Sequence, residues 1–143
     1  MKFKEKINTW IFDLDNTLYS ADSGIFQQVH KLMGEFISKN LNMEMREAKK
    51  LQSKYYKQHG TTLRGLMDNH GIDPDYFLDE VHRLDYSIVS SNETLNQELQ
   101  KLEGRKIIYT NANNKHAIDV LDRIDLANFF DEIFDIKMAK LYS

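Results

Sequence analysis

Residues 9–19, with the sequence TWIFDLDNTLY, decide the fold of this protein. The first part, residues 9–14, is rich in aromatic and β-branched side chains and predicts a short buried β-strand that ends in a polar turn. Two carboxylates, Asp13 and Asp15, stand where this strand ends. In open parallel sheets, ligands bind beyond the carboxyl ends of the strands. Asp13 and Asp15 are therefore the first candidates for a functional site.

The rest of the chain predicts six helices and two further strands. Apolar residues recur at three- and four-residue steps, which is typical of amphipathic helices, and shorter β-branched and aromatic runs predict strands. Ser90 and Glu93 have the spacing of a capping box at the start of the fifth helix. The predicted helices cover residues 24–40, 44–58, 61–70, 73–84, 90–103 and 114–124, and the predicted strands cover residues 106–110 and 132–136.

The order of these elements predicts an α/β fold with a parallel sheet. Strands that alternate with helices are typical of parallel sheets with helical crossovers. Four helices between the first two strands are too many for one crossover, so we interpret residues 20–85 as an inserted helical domain. Residues 1–19 and 86–143 would then form the sheet domain. In that fold, Asp13 and Thr110 both follow the carboxyl end of a strand.

The composition is that of an ordinary globular protein, since 41% of the 143 residues are hydrophobic and 29% are charged. The net charge of −3 gives no sign of a nucleic-acid partner or an anionic membrane surface. The chain has no cysteine, which excludes disulfides and favours a reducing compartment. The apolar run at residues 10–12 is too short for a signal peptide or a membrane span, so a cytoplasmic location is expected.

The pair Asp13 and Asp15 indicates magnesium-dependent phosphoryl chemistry. Two carboxylates this close repel each other unless a cation offsets their charge. Mg²⁺ suits such oxygen ligands and leaves coordination positions for a substrate phosphate. One carboxylate can attack phosphorus, and the other can protonate the leaving oxygen and later activate water. The alternative is that both residues only terminate the strand, because Asp favours turns for local reasons.

Residues 12–19 resemble motif I of the haloacid dehalogenase-like hydrolases, and residues 107–111 resemble motif II of the same superfamily. The helical insert matches their C1-type cap, which implies a Rossmann-like core. The chain is most similar to the pyrimidine 5′-nucleotidase branch, because Tyr19 follows the Asp-x-Asp-Asn-Thr-Leu run. Two further segments fit that branch: Tyr55-Tyr56 with residues 60–66, and residues 134–136.

The resemblance assigns roles to individual residues. Asp13 would be the nucleophile and a metal ligand, and Asp15 would be the general acid/base and bind Mg²⁺ through its backbone carbonyl. Thr110 would hydrogen-bond the phosphoryl oxygens, assisted by Asn111. The substrate would be a phosphate monoester, in this branch a pyrimidine nucleoside monophosphate such as UMP or CMP. Candidate substrate contacts are Tyr19, Thr62 and Arg64.

Two superfamily motifs have no match here, namely the motif III lysine and the motif IV acidic pair. Lys140 is the nearest lysine and aligns too early. We therefore expect a C-terminally truncated chain that is inactive by itself. Its open sheet edge and apolar faces predict aggregation or a partner. The alternatives are an inactive fragment or interaction module that retains the fold, and a phosphatase for another small metabolite such as a phosphosugar. The histidines are scattered, and no pair has metal-ligand spacing on one helix face.

Overall fold

The computed structural model describes residues 6–139, and it confirms the α/β class. These residues divide into two compact units, one formed by residues 6–23 and 86–139 and one by residues 24–85. The elements in chain order are β1 (Thr9–Phe12), α1 (Ile25–Asn40), α2 (Met45–His59), α3 (Thr62–His70), α4 (Pro74–Val81), α5 (Glu93–Lys101), β2 (Arg105–Tyr109), α6 (Asn114–Arg123) and β3 (Glu132–Phe134). Short 3-10 turns cover Ala21–Ser23, Tyr86–Ile88 and Ala127–Phe129.

The first unit contains a three-stranded sheet in the order β1-β2-β3, and both strand pairs are parallel, as predicted. Phe12 pairs with Ile108, and Ile108 pairs with Ile133. Ile108 is completely buried, and apolar residues of α6 such as Val120 lie in the same unit's core. The parallel register places the carboxyl ends of all three strands at one edge of the sheet.

The opposite face of this sheet carries exposed apolar side chains. The register and the alternation of side chains put Ile11, Ile107 and Tyr109 on one face. Ile11 is 69% exposed and Tyr109 is 48% exposed, and the Tyr109 ring stacks on Phe134 at a centroid distance of 5.3 Å. Within residues 6–139, β1 pairs with β2 alone.

The second unit is a bundle of α1 to α4. Its core includes Phe36 and Phe77, whose rings meet edge to face with centroids 5.0 Å apart. The predicted cap of α3 is confirmed, because the Thr61 side chain accepts a hydrogen bond from the Arg64 N–H at 3.1 Å. Gly71 ends α3 in the left-handed conformation with φ of 61°.

The structure corrects several of the predicted boundaries. Strand β1, predicted as buried over residues 9–14, ends at Phe12 and is exposed or half-buried. The N-cap of α5 is Asn92 and not Ser90, because the Asn92 side chain accepts the Leu95 N–H at 3.1 Å. Helix α4 ends at Val81 and not near residue 84, since the Arg83 N–H turns back to the Glu80 carbonyl. Strand β3 is two residues shorter than predicted. The Ile136 N–H leaves the sheet ladder and donates to the Ala112 carbonyl.

Two other expectations concern the ends of the chain and the membrane. Lys140, the nearest lysine to the motif III position, lies outside the described residues. Across residues 6–139, helices fall short of the length and hydrophobicity needed to cross a membrane.

Candidate active site

The loop that follows β1 presents Asp13 at the carboxyl edge of the sheet. Leu14 is completely buried and anchors the loop, and its carbonyl accepts the N–H groups of Thr17 and Leu18. Asp13 is exposed, and the Thr17 hydroxyl donates to its Oδ2 at 2.7 Å. Asn16 has a φ of 60°, a left-handed conformation that asparagine tolerates better than most residues. The loop therefore holds the Asp13 carboxylate in place while leaving it accessible.

Asp15 lies in a hydrogen-bonded cluster with Tyr19, Tyr86 and His116, which we call the Asp15 cluster. Asp15 Oδ1 is 2.5 Å from the Tyr19 hydroxyl and 2.7 Å from His116 Nε2. The other ring nitrogen, His116 Nδ1, is 2.8 Å from the Tyr86 hydroxyl. Burial and the adjacent Asp15 carboxylate raise the pKa of Tyr19 above its ordinary value, so this hydroxyl keeps its proton and donates it. The cluster fixes one oxygen of Asp15.

Thr110 and Asn111 follow β2 at the same edge of the sheet. Because Phe12 pairs with Ile108, Asp13 and Thr110 leave the sheet from adjacent strands. Thr110 is buried, and its Oγ1 accepts the Ala112 N–H at 3.1 Å. The hydroxyl hydrogen of Thr110 is a donor that suits a phosphoryl oxygen. Asn111 is exposed beside it.

A third aspartate, Asp135, follows β3, and its carboxylate binds backbone N–H groups of the protein itself. It is 5% exposed, and its two carboxylate oxygens accept the N–H groups of Asn114 and Met138, each at 3.0 Å. Asn114 begins α6, so this carboxylate compensates unpaired N–H groups and the dipole of the helix N-terminus. Asp135 thus ties the end of β3 to the start of α6.

The predicted substrate contacts Thr62 and Arg64 belong to the helical unit and make internal contacts there. Thr62 is buried, and its hydroxyl donates to the Gln52 carbonyl at 3.1 Å. Arg64 Nε lies 3.1 Å from the Asp68 carboxylate, four residues along α3. Their role in substrate binding stays a prediction.

The oxygens at the carboxyl edge suit a hard divalent cation. Mg²⁺ in phosphoryl-transfer sites takes one or two protein carboxylates and fills its remaining positions with water and substrate phosphate. The Asp13 carboxylate and the Asp15 backbone carbonyl are donors of this type. Within residues 6–139, acidic and histidine side chains do not form any group of three or more that could hold a metal. Magnesium binding at this edge of the sheet stays a prediction.

Sequence comparison places the chain in a family. The sequence pattern of the haloacid dehalogenase-like hydrolases matches residues 10–140. The chain belongs to this family.

Individual proteins of known sequence or structure are similar to the chain. Over 136 residues the chain is 28% identical to phosphate metabolism protein 8 of Saccharomyces cerevisiae, an alignment that covers 87% of the chain and 42% of the yeast protein. A solved structure described as a beta-phosphoglucomutase from Thermotoga maritima is similar with a TM-score of 0.51 and 19% identity, over 94% of the chain and 63% of that protein. The magnesium-bound HAD-hydrolase YfnB from Bacillus subtilis has a TM-score of 0.47 and 15% identity, over 90% and 63%. The chain thus spans less than two thirds of the length of each of these proteins.

Proposed function

We propose that this chain carries the nucleophile and the general acid/base of a Mg²⁺-dependent phosphate monoester hydrolase. The observation that carries the proposal is the contrast between the two aspartates. Asp13 is exposed at the carboxyl edge and oriented by Thr17, whereas Asp15 is bound through one oxygen by Tyr19 and His116. An accessible carboxylate beside a fixed one is what nucleophilic attack coupled to proton transfer requires.

The reaction would proceed in two steps. In the first, an Asp13 carboxylate oxygen forms a bond to phosphorus, the ester P–O bond breaks, and Asp15 gives its proton to the leaving oxygen. In the second, Asp15 takes a proton from water, the water oxygen attacks phosphorus, and the Asp13–phosphorus linkage breaks to release inorganic phosphate. Bound Mg²⁺ would neutralise phosphate charge beside Asp13. Thr110 would donate its hydroxyl hydrogen to a phosphoryl oxygen.

The substrate class rests on the similarity of the sequence to the pyrimidine 5′-nucleotidase branch. Tyr19 follows the motif I run, and residues 60–66 fit the cap segment of that branch. We propose a pyrimidine nucleoside monophosphate, such as UMP or CMP, as the substrate and residues 24–85 as the cap. Tyr19 already donates to Asp15, so its part in substrate binding would be indirect.

A non-enzymatic role is the second candidate, and the exposed sheet face favours it. Ile11 and Tyr109 present an apolar surface that a folded protein ordinarily covers. An interaction module that keeps the fold without turnover would use this face and not the Asp13 edge.

The test is Mg²⁺-dependent release of phosphate from UMP, CMP, AMP, glucose 1-phosphate and p-nitrophenyl phosphate. Asp13→Asn is the inactive variant, and Asp122→Asn, at an exposed position on α6, is the matched control. Any release from the pyrimidine nucleotides should be abolished by Asp13→Asn and not by Asp122→Asn. Preference for the sugar phosphate would overturn the substrate class. No release from any ester by the folded chain would favour the interaction module.

A further inference from the structure

We propose that His116, braced by Tyr86, is a positioning residue that sets the orientation of the Asp15 carboxylate for proton transfer. The inference rests on the proposed role of Asp15 as general acid/base. It is carried by the continuous chain of contacts from the Tyr86 hydroxyl through both ring nitrogens of His116 to Asp15 Oδ1, with distances of 2.8 Å and 2.7 Å.

The chemistry of these groups fixes the direction of each hydrogen bond. In the ionised state that takes a proton from water, Asp15 is only an acceptor, so His116 Nε2 then carries the hydrogen that it shares with Oδ1. In the tautomer that carries its hydrogen on Nε2, Nδ1 accepts and the Tyr86 hydroxyl donates. Both nitrogens are satisfied, as a ring that is 1% exposed requires.

The backbone on both sides of His116 is held in place. His116 lies in the first turn of α6, and its own N–H donates to the N-cap Asn113 Oδ1 at 3.0 Å. The turn that carries Tyr86 is tied to the end of the same helix, because Arg123 donates to the carbonyls of Ser87 and Val89 at 2.9 Å and 2.8 Å. Both ends of α6 thus stabilise the geometry of the chain from Tyr86 to Asp15.

The consequence for Asp15 is that two donors on one oxygen hold its carboxyl group in a fixed direction. His116 and Tyr19 both donate to Oδ1. Proton transfer to the substrate depends on the direction of the carboxyl group, which these hydrogen bonds on Oδ1 set. A misplacement of about 1 Å in a reacting group can lower a rate about 100-fold. Loss of the imidazole should thus lower the rate of the chemical steps rather than substrate affinity.

The kinetic test compares His116→Leu, His116→Gln and Tyr86→Phe in the full chain, with UMP and Mg²⁺. Leucine removes the donor, whereas the glutamine amide places an N–H near the position of Nε2. We expect His116→Leu to lower kcat by about 10- to 100-fold with KM unchanged, His116→Gln to recover most of that loss, and Tyr86→Phe to cause a smaller loss. His70→Leu is the matched control, because His70 pairs with the Tyr55 hydroxyl at 2.7 Å in the helical unit. A His116→Leu variant with the kcat of the wild type, or a His116→Gln variant as slow as His116→Leu, would overturn the proposal.

A second readout does not depend on turnover and separates this inference from the proposed function. In protein labelled with ¹³C at the aspartate side-chain carboxyl, we expect His116→Leu to move the Asp15 resonance, and His116→Gln to keep it near the wild-type position. His70→Leu should leave it unchanged. If the wild type releases no phosphate, the proposed function fails for this chain. The Asp15 resonance alone then tests whether His116 positions Asp15. An Asp15 resonance that His116→Leu does not move refutes the positioning role.

Discussion

Gly65→Ala tests how tightly the helical unit is packed. Gly65 lies in the middle of α3, and a Cβ at this position would lie 2.4 Å from both Cβ and Cγ of Tyr55. Carbon atoms in contact ordinarily lie about 3.5–4.0 Å apart, so Tyr55 would have to move by about 1 Å or more. The Tyr55 side chain is 6% exposed and its hydroxyl is bound to His70. The ring therefore has little freedom to yield, and α2 and α3 must separate.

The expected magnitude follows from three opposing terms. Overpacking a well-packed core costs about 1–3 kcal/mol. Weakening the Tyr55–His70 hydrogen bond costs about 1 kcal/mol more. Replacing a mid-helix glycine with alanine returns about 1 kcal/mol through helix propensity. The net prediction is a loss of about 1–3 kcal/mol in the free energy of unfolding.

Gly34→Ala is the control, because its expected effect on the free energy of unfolding has the opposite sign. Gly34 also lies within a helix of the same unit, but its nearest neighbour would be the flexible Met45 Sδ at 3.3 Å. That sulfur can move by a few tenths of an ångström, so helix propensity dominates and the variant should be unchanged or more stable by up to about 1 kcal/mol.

Urea unfolding followed by circular dichroism at the helical band measures both variants. With an m-value of about 1–3 kcal/mol/M, Gly65→Ala should lower the midpoint by roughly 1 M, whereas Gly34→Ala should not lower it. If the two variants unfold at the same midpoint, the close approach of α2 and α3 at Gly65 is refuted.

Three further predictions concern the site. Asp13→Asn should abolish turnover because it removes the nucleophile, and near-normal phosphate release by this variant would exclude the mechanism. Asp15→Asn should slow both chemical steps while leaving the circular dichroism spectrum intact, and an unchanged rate would rule out its acid/base role. Burial, then the charges of Asp119 and Asp15, raise the pKa of Tyr86 above its ordinary value near 10. Above about pH 10 the tyrosine loses its proton in the unfolded chain before it does so in the folded protein. The stability that Tyr86 contributes is therefore complete below about pH 10 and falls as the pH rises further, by at most about 1.4 kcal/mol per pH unit. Tyr86→Phe should show a shallower alkaline loss in urea titrations, and an identical slope would contradict this account.

The helices and strands were predicted because their signals are local. Periodic apolar residues, Thr61 before α3, Gly71 after it and the proline at the start of α4 all act within a few positions of the chain. The boundaries that were wrong depend on competition between neighbours. Ser90 and Asn92 both suit an N-cap, and the choice of Asn92 follows from which side chain reaches a free N–H in the folded chain.

The sequence by itself determined the family and the paired carboxylates at Asp13 and Asp15, because motif I is a contiguous run after a strand. Only the tertiary structure decided what surrounds Asp15. His116 is 101 positions from Asp15, and neither its spacing nor its neighbours indicate a polar role. The parallel register of β1 and β2 and the docking of α6 bring the imidazole to the carboxylate. The same packing brings Asp135 to the backbone N–H of Asn114 at the start of α6. Such contacts depend on long-range packing of elements, which no local pattern encodes.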